Sequence, residues 1–349
     1  MRKNIKFIIL VLIAILIFWL FGRNLNWGEV SQSLQKANPI YLIFAVLIIC
    51  LGYLLRAKRW QVLLQPITET SLKELFATTT VGFTAVFLVG RAGEIVRPMW
   101  LPMRDKRVRP SAALVTLGLE RVFDLASLIC FFAVNSMWLT APPGQENQFN
   151  FVKLIAVLML IGVIIGFITL VIYQRNSEKV IEWFSDKKLF HNRIGTIFLS
   201  VLRQLAASLA ILKDWREVIA VAFWTFLLWL AISIPTWLVI LGFGIEMNFS
   251  QSIFVMWWAA LGSLVPTPGG AAGSFHVATA GGLVFLGIDR DLAFAVSIIM
   301  HLVYFAPAII FGVYYFFHGD ISIERFRSLL SSEHAVEEIE SESPKFQEG

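Results

Sequence analysis

Long uninterrupted apolar runs constrain this chain more than any other feature of its sequence. Hydrophobic residues make up 57% of the 349 and charged residues only 15%, whereas soluble domains use roughly 25% charged residues. Six runs approach the ~20 residues that a helix needs to cross a hydrocarbon core about 30 Å thick. They are 5–22, 39–55, 111–139, 151–173, 218–241 and 292–317. The sequence therefore predicts an all-α, polytopic transmembrane helical bundle.

The basic residues beside these runs predict the orientation of the chain. Cytoplasmic loops of membrane proteins carry an excess of Lys and Arg. The segment 1–6 and the residues following the second run are basic, whereas 141–150 has no Lys or Arg and 174–217 has eight. This pattern predicts a multi-pass protein of the cell (cytoplasmic) membrane with both termini in the cytoplasm. It also accounts for the net charge of +5 without a nucleic-acid partner.

Two further apolar stretches, 72–104 and 251–288, do not fit this alternation as single crossings. Each lies between loops expected on one side, so we expect each to enter the membrane and return to the same face. The first would enter from the cytoplasm and the second from outside. The order span, span, hairpin, span then occurs twice with opposite orientation. The sequence predicts an inverted repeat of six full spans and two re-entrant helical hairpins, and in transporters such repeats place the substrate site near the midplane between broken helices.

The tip of the first hairpin carries charged residues at membrane depth. Gly90 and Gly93 enclose the expected turn, with Arg91, Glu94 and Arg97 in or beside it. Ionisable groups there cost several kcal/mol unless paired or hydrated, which makes them candidates for a functional site. The planar guanidinium fork matches the geometry of phosphate. Two alternatives remain open: Glu94 pairs with an arginine only to hold the hairpin together, or the segment is a cytoplasmic loop with ordinary flanking arginines.

Charged and titratable residues also occur inside two of the spans. Glu120, Arg121 and Asp124 fall within the third run, and Glu120 and Asp124 are four residues apart and therefore on one helix face. His301 lies at a similar depth in the last run. We expect the acidic pair to face the hairpin site. The alternatives are an internal network that joins neighbouring helices and, for His301, an ordinary interhelical hydrogen bond.

The middle of the second stretch cannot continue a helix, because Pro removes a backbone donor and Gly loosens the backbone. The breaker residues are Pro266, Pro268, Gly269, Gly270 and Gly273, and His276 follows them. Backbone N–H groups exposed at such a break attract anions. The alternative is a kink that serves only close helix packing. We find no metal-ligand spacing, phosphate-cradling loop or nucleophile–base pair, so the sequence predicts no catalytic residue, metal or cofactor.

The sequence predicts one transmembrane domain over 1–318. Its segment 174–217 has amphipathic stretches and is expected on the cytoplasmic membrane surface. The remaining segment, 319–349, is rich in Ser and Glu and is expected to be a disordered acidic tail.

Three motifs in this order and spacing resemble a known family. They are Gly90-Arg-Ala-Gly-Glu-Ile-Val-Arg97, Glu120-Arg-Val-Phe-Asp124 and Pro266-Thr-Pro-Gly-Gly270. Together they resemble the flippase-like transmembrane domain of lysylphosphatidylglycerol synthases, including its stand-alone members of the uncharacterised UPF0104 type. The resemblance implies translocation of a lipid with a polar or charged head group, and in some relatives links to isoprenoid-carried sugars or hopanoids. The expected partners are membrane lipids, either phospholipid or isoprenoid-linked, and a lipid synthase or glycosyltransferase is a further candidate. Relatives usually carry a Glu shortly after the Pro-Gly-Gly turn, where this chain has Phe275 and His276.

The resemblance does not extend to an enzyme. The synthases add a soluble aminoacyl-transferase domain, whereas here only about thirty polar residues follow the last span, too few for such a domain. Synthase activity is therefore not expected.

The leading hypothesis is a lipid flippase-like transporter. Arg91 and Arg97 would bind a lipid phosphate, while Glu94, Glu120 and Asp124 would orient them or hold a cationic head group. The Pro-Gly hairpin would form the opposing gate. The alternatives are an intramembrane lipid-modifying transferase with Glu94 or Glu120 as general base, and a non-catalytic partner of a lipid or glycolipid synthase.

Overall fold

The computed structural model describes most of the membrane part of the chain. The described residues are 27–65, 68–108, 110–139, 146–187, 214–265 and 267–318, with 199, 202, 206 and 209 between them. They contain ten α-helices and no strand, so the prediction of an all-α bundle is confirmed. The expected first span at 5–22, most of the segment 174–217 beyond 187, and the tail 319–349 lie outside the described residues.

The helices follow the predicted order. They are α1 Trp27–Lys36, α2 Pro39–Leu64, α3 Leu72–Val89, α4 Val96–Arg104, α5 Pro110–Trp138, α6 Glu146–Ser185, α7 Trp215–Gly242, α8 Phe249–Gly262, α9 Pro268–Phe285 and α10 Arg290–Phe317. A 3₁₀ segment, Gly90–Ile95, joins α3 to α4. Five of them, α2, α3, α6, α7 and α10, are long and apolar enough to cross a membrane. Of these five, α3 is the first arm of the predicted hairpin and the other four correspond to predicted spans. The remaining predicted span among the described residues corresponds to α5, which has 29 residues and carries the three charged residues noted above.

Two helix ends differ from the sequence prediction. The second span was expected to end at 55, but α2 continues to Leu64 because Trp60, Leu63 and Leu64 extend its buried face. The fourth span was expected over 151–173, but α6 continues to Ser185 with a kink at Asn176 (φ −119°, ψ 16°). Basic residues that follow an apolar run therefore do not show at which residue the helix ends.

The first hairpin is confirmed as an antiparallel helix pair. Gly90 ends α3 with φ +71°, a conformation that costs glycine little. After this turn, Gly93 lies so close to α3 that a Cβ on it would stand 2.3 Å from the α3 backbone. The side chain of Arg97 packs against Gly82 of α3, where a Cβ would overlap it. At the open end Arg104 of α4 pairs with Glu74 of α3. The two arms therefore pack against each other along their length.

The second hairpin consists of α8 and α9. A Cβ on Gly262 would lie 2.6 Å from the Ser274 carbonyl oxygen, so the helices are in close backbone contact. The turn contains three consecutive left-handed residues, Gly269 (φ +73°), Gly270 (φ +63°) and Ala271 (φ +62°). The predicted helix break is therefore confirmed, and the left-handed Ala271 stores on the order of 1–2 kcal/mol of strain.

The packing of the helices follows the predicted repeat. The order α2, α3–α4 hairpin, α5 corresponds to α7, α8–α9 hairpin, α10. The equivalent helices α2 and α7 pack along each other, and the Asn38 amide donates to the Gly242 carbonyl at one end (2.7 Å). The first arm of each hairpin packs on the last helix of the other half, α3 on α10 and α8 on α5. This exchange is what a two-fold relation between the halves predicts, while entry of the hairpins from opposite membrane faces stays a prediction.

Candidate functional site

Four charged side chains, of which three are buried and Asp124 is 13% exposed, form the centre of the site. Arg97 donates through Nη1 and Nη2 to the two oxygens of Glu120, at 2.7 and 3.4 Å. Arg59 donates to both oxygens of Asp124 and lies 3.7 Å from Glu120. The Arg59 and Glu120 side chains are 0% and 1% exposed. We call these four residues the buried quartet; its two positive and two negative charges balance.

The buried quartet joins three helices of the first half, and Arg59 links them to α7 of the second half. Arg59 belongs to α2, Arg97 to α4, and Glu120 and Asp124 to α5. Thr225 of α7 lies 3.3 Å from Arg59 Nη1 and accepts a hydrogen bond from it. The Arg97 guanidinium also stands 4.3 Å from the ring centre of Trp60. Ion pairs, hydrogen bonds and a cation–π contact thus hold α2, α4, α5 and α7 together.

Two further arginines flank the quartet. Arg121 is 38% exposed, and its Nη2 lies 3.6 Å from Asp124 and 4.0 Å from Glu120, both beyond hydrogen-bond distance. Arg56 is half-buried, with its guanidinium 4.9 Å from the ring centre of Phe83. Six charged side chains therefore lie together, and four of them, Arg97, Glu120, Arg121 and Asp124, are among the predicted site residues.

Sequence reasoning missed the two arginines on α2. Arg56 and Arg59 were assigned only to the cytoplasmic flank of a span, yet Arg59 is fully buried. A signal was available, because Trp60, Leu63 and Leu64 continue the apolar side of the helix after Arg59. Charged residues followed by further apolar residues at helical spacing indicate charges inside a helix bundle rather than after it.

The tips of the two hairpins touch at Arg91. Its Nε and Nη2 donate to the backbone carbonyl of Ser263, at 3.2 and 2.9 Å, and its Nη1 pairs with Glu94 at 3.1 Å. Arg91 and Glu94 are each about a third exposed. Apolar side chains of both tips around them are exposed, namely Leu88, Val89, Ile95, Leu264 and Val265. The sequence offered no signal for Ser263, since a backbone carbonyl is common to every residue.

The two histidines lie behind the turn of the second hairpin. His276 and His301 are buried with ring centres 5.0 Å apart. His301 Nε2 lies 3.2 Å from the Gly270 carbonyl, and His276 Nδ1 lies 3.3 Å from the Ser297 hydroxyl. Phe275 packs on His301 at 5.0 Å. His301 is therefore placed to hold the left-handed turn against α10.

The remaining predicted residues belong to this same turn. Pro268 begins α9, Gly269 and Gly270 adopt the left-handed conformation, and Gly273 is buried inside α9. Pro266 lies outside the described residues. The structure therefore groups the predicted site residues into three parts: the quartet with Arg121, the Arg91–Glu94 tip, and the second hairpin with its histidines.

One acidic group could hold a metal by geometry. Glu29, Asp289 and Asp291 bring their carboxylates within 4.8 Å of one another, and within the described ranges no other such group of three ligands occurs. Asp289 caps α10 by accepting from the amides of Asp291 and Leu292. Carboxylates at a helix N-terminus are favourable without any ion, so capping accounts for this group.

Comparison with known proteins agrees with the family resemblance of the three motifs. Residues 7–312 match the family described as the lysylphosphatidylglycerol synthase TM region. A UPF0104 membrane protein of Pyrococcus horikoshii is 19% identical over 334 residues, which cover 90% of this chain and 96% of that protein. A UPF0104 membrane protein of Methanothermobacter thermautotrophicus is 22% identical over 289 residues, covering 80% and 85%. The similarity therefore extends over nearly all of the membrane part.

Proposed function

The chain belongs to the lysylphosphatidylglycerol synthase transmembrane-region family, and from this premise we propose that it moves a lipid with a polar or charged head group between the two leaflets of a membrane. It is a multi-pass helical membrane protein, and the proposal places it in the cell membrane with cytoplasmic termini. The description of the family concerns the membrane region of a lipid synthase, which makes a lipid the first substrate class to consider.

The observation that carries the proposal is the contact between the hairpin tips. A half-exposed ion pair, Arg91 with Glu94, stands among exposed apolar residues such as Leu88, Ile95 and Leu264. A lipid has the same division between a polar head and apolar tails. The ion pair suits the head group, because charge-assisted hydrogen bonds from a guanidinium match phosphate oxygens, and the apolar tips suit the tails.

The geometry divides the roles of the predicted residues. Arg91 is the phosphate-binding candidate, because its side chain is about a third exposed and its hydrogen bonds within the described chain go only to one backbone carbonyl and the similarly exposed Glu94 carboxylate. Arg97 is a positioning residue in this conformation, since both terminal nitrogens are engaged by Glu120. The second hairpin forms the opposing gate. Movement of one half against the other would part Arg91 from Ser263 and open the route for a head group.

The proposal is tested by replacing Arg91. The protein is reconstituted into vesicles with a head-group-labelled phospholipid, and leaflet-specific quenching measures transbilayer movement. We expect Arg91→Ala to lower the rate by at least about tenfold, a loss of about 1.4 kcal/mol. Arg107→Ala removes an exposed arginine whose partner is Asp105, and this control should match the wild type. Movement at the wild-type rate in Arg91→Ala would contradict the proposal.

The same vesicles separate translocation from the alternatives. Lipid extracted after the assay should be chemically unchanged, because translocation makes and breaks no covalent bond. A modified lipid would favour the transferase. Unaffected movement in every tip variant, together with a stable complex with a lipid synthase, would favour the non-catalytic partner.

A further inference from the structure

The buried quartet and the two arginines beside it, Arg56 and Arg121, together carry more positive than negative charge. The buried quartet is neutral by itself. Arg56 and Arg121 add two positive charges beside it, and among the described side chains no further carboxylate lies within 4 Å of either. Unbalanced charge inside a membrane helix bundle is costly and is normally met by a counter-charge or by water. The excess therefore points to a negatively charged ligand.

Arg121 has donors available for such a ligand. Its side chain is 38% exposed and its distances to Glu120 and Asp124 are those of a loose ion pair without a hydrogen bond. Its Nε is buried and has no hydrogen-bond partner. Each oxygen of the two carboxylates already accepts a hydrogen bond from an arginine of the quartet. Arg121 is therefore held near the quartet by charge attraction, and its N–H donors remain available for a ligand.

Arg56 is the second arginine with guanidinium N–H donors available for a ligand. Its guanidinium lies over the ring of Phe83 at 4.9 Å from the ring centre, and a cation–π contact consumes none of the five guanidinium N–H donors. Arg56 precedes Arg59 by three residues on α2 and so lies on the same side of that helix. It is within electrostatic range of both Asp124 and Arg121. The two surplus arginines therefore approach the quartet from α2 and from α5.

We propose that Arg56 and Arg121 together form a binding site, separate from Arg91 at the tips, for the phosphate of a net anionic lipid head group, and that the buried quartet positions the two helices that carry them. This inference rests on the proposed function and specifies the substrate of the same route. A phosphodiester without an amine matches two arginine forks. A head group that adds a cationic amine would bring a third positive charge to a cluster that already has an excess of two.

The test measures binding separately from transport. The full-length protein in a neutral detergent is titrated with phosphatidylglycerol, phosphatidylcholine or inorganic phosphate, and native mass spectrometry gives the apparent Kd. We expect wild type to prefer phosphatidylglycerol over phosphatidylcholine by about tenfold. Arg56→Gln and Arg121→Gln should each lower the phosphatidylglycerol affinity by about tenfold and leave phosphatidylcholine binding unchanged. Arg175→Gln, an exposed arginine on α6, is the matched control and should bind as wild type does.

Several results would overturn the inference. They are equal wild-type affinity for the two lipids, wild-type phosphatidylglycerol affinity in both Gln variants, and binding of inorganic phosphate with no binding of either lipid. Should a Gln variant fail to fold, Arg56→Lys keeps the charge and should keep part of the preference. The wild-type preference should also fall with added salt, because partly exposed charges are screened, and a salt-independent preference would contradict the inference.

The two proposals fail in different ways. If wild type moves no lipid but the phosphatidylglycerol preference depends on Arg56 and Arg121, the proposed function fails and the binding site stands. If wild type moves lipid while Arg56→Gln and Arg121→Gln keep both the wild-type rate and the wild-type affinity, the binding site fails and the proposed function stands.

Discussion

The buried quartet contains three ion pairs within one group of four side chains, and each charge in it is stabilised by its neighbours. Arg59 and Glu120 are almost completely inaccessible, so each charge is tolerated only because its partner is present. Breaking a buried ion pair by removing one partner typically costs about 3–5 kcal/mol, whereas replacing both partners with apolar residues is often nearly neutral. The quartet therefore makes a specific prediction for single and double substitutions.

We predict that Glu120→Leu lowers thermal stability strongly, because it leaves Arg97 buried without its carboxylate. The loss should be about 3–5 kcal/mol, measured as a fall in the unfolding temperature in detergent. The double variant Arg97→Leu/Glu120→Leu should recover part of that loss, and Glu94→Gln, at a half-exposed pair, should cost less. A double variant as unstable as the sum of its single variants would contradict the account.

Residue chemistry decided which parts of the site could be predicted. Glu120, Asp124 and Arg97 stood out because charged residues are rare inside apolar segments. Arg59 did not, because a basic residue near the end of an apolar run satisfies the orientation rule equally well. The pairing of Arg97 with Glu120 depends on how α4 packs on α5, and the sequence contains no direct information on that packing.

The helical hairpins are the elements that position the tips. The first folds back through Gly90 and the close contact of Gly93 with α3, and the second through the left-handed turn at 269–271. Glycine and proline predicted both breaks, because those residues limit what the backbone can do. The 3₁₀ conformation of Gly90–Ile95 and the left-handed Ala271 were not predicted, since the surrounding packing imposes them.

We predict that each hairpin begins and ends on one membrane face. In a background with Cys50→Ser and Cys130→Ser, single cysteines replace Glu69 or Lys106 around the first hairpin, and Glu246 or Arg290 around the second. An impermeant maleimide applied to intact cells should label 246 and 290 but not 69 and 106. The last two should react only after the membrane is opened. Labelling of one member of a pair from each side would show a full crossing and contradict the inverted repeat.

At the scale of the whole molecule, two halves of like organisation meet along α2 and α7 and exchange contacts through their hairpins. The quartet ties α2, α4, α5 and α7 together, while the tips meet through one arginine and one carbonyl. The buried ion pairs thus lie on α2, α4 and α5, whereas the ion pair at the tips, Arg91 with Glu94, is partly exposed. This distribution suits a molecule whose tips separate while its central helices stay associated.

The order of spans and hairpins could be predicted from charge and apolar length, because the bilayer restricts both. How the halves dock could not, since Ser263 contributes only its backbone and Arg91 reaches it across 172 positions of sequence.

The most direct test of the central claim is the transbilayer movement of labelled phosphatidylglycerol in vesicles with and without the wild-type protein. Leaflet-specific quenching should show that the protein moves label from the inner to the outer leaflet at least about tenfold faster than in protein-free vesicles. Loss of this movement on heat inactivation would link it to the folded protein. Equal rates in vesicles with and without the protein, at a protein density confirmed by quantitation, would contradict the claim that this chain translocates lipid.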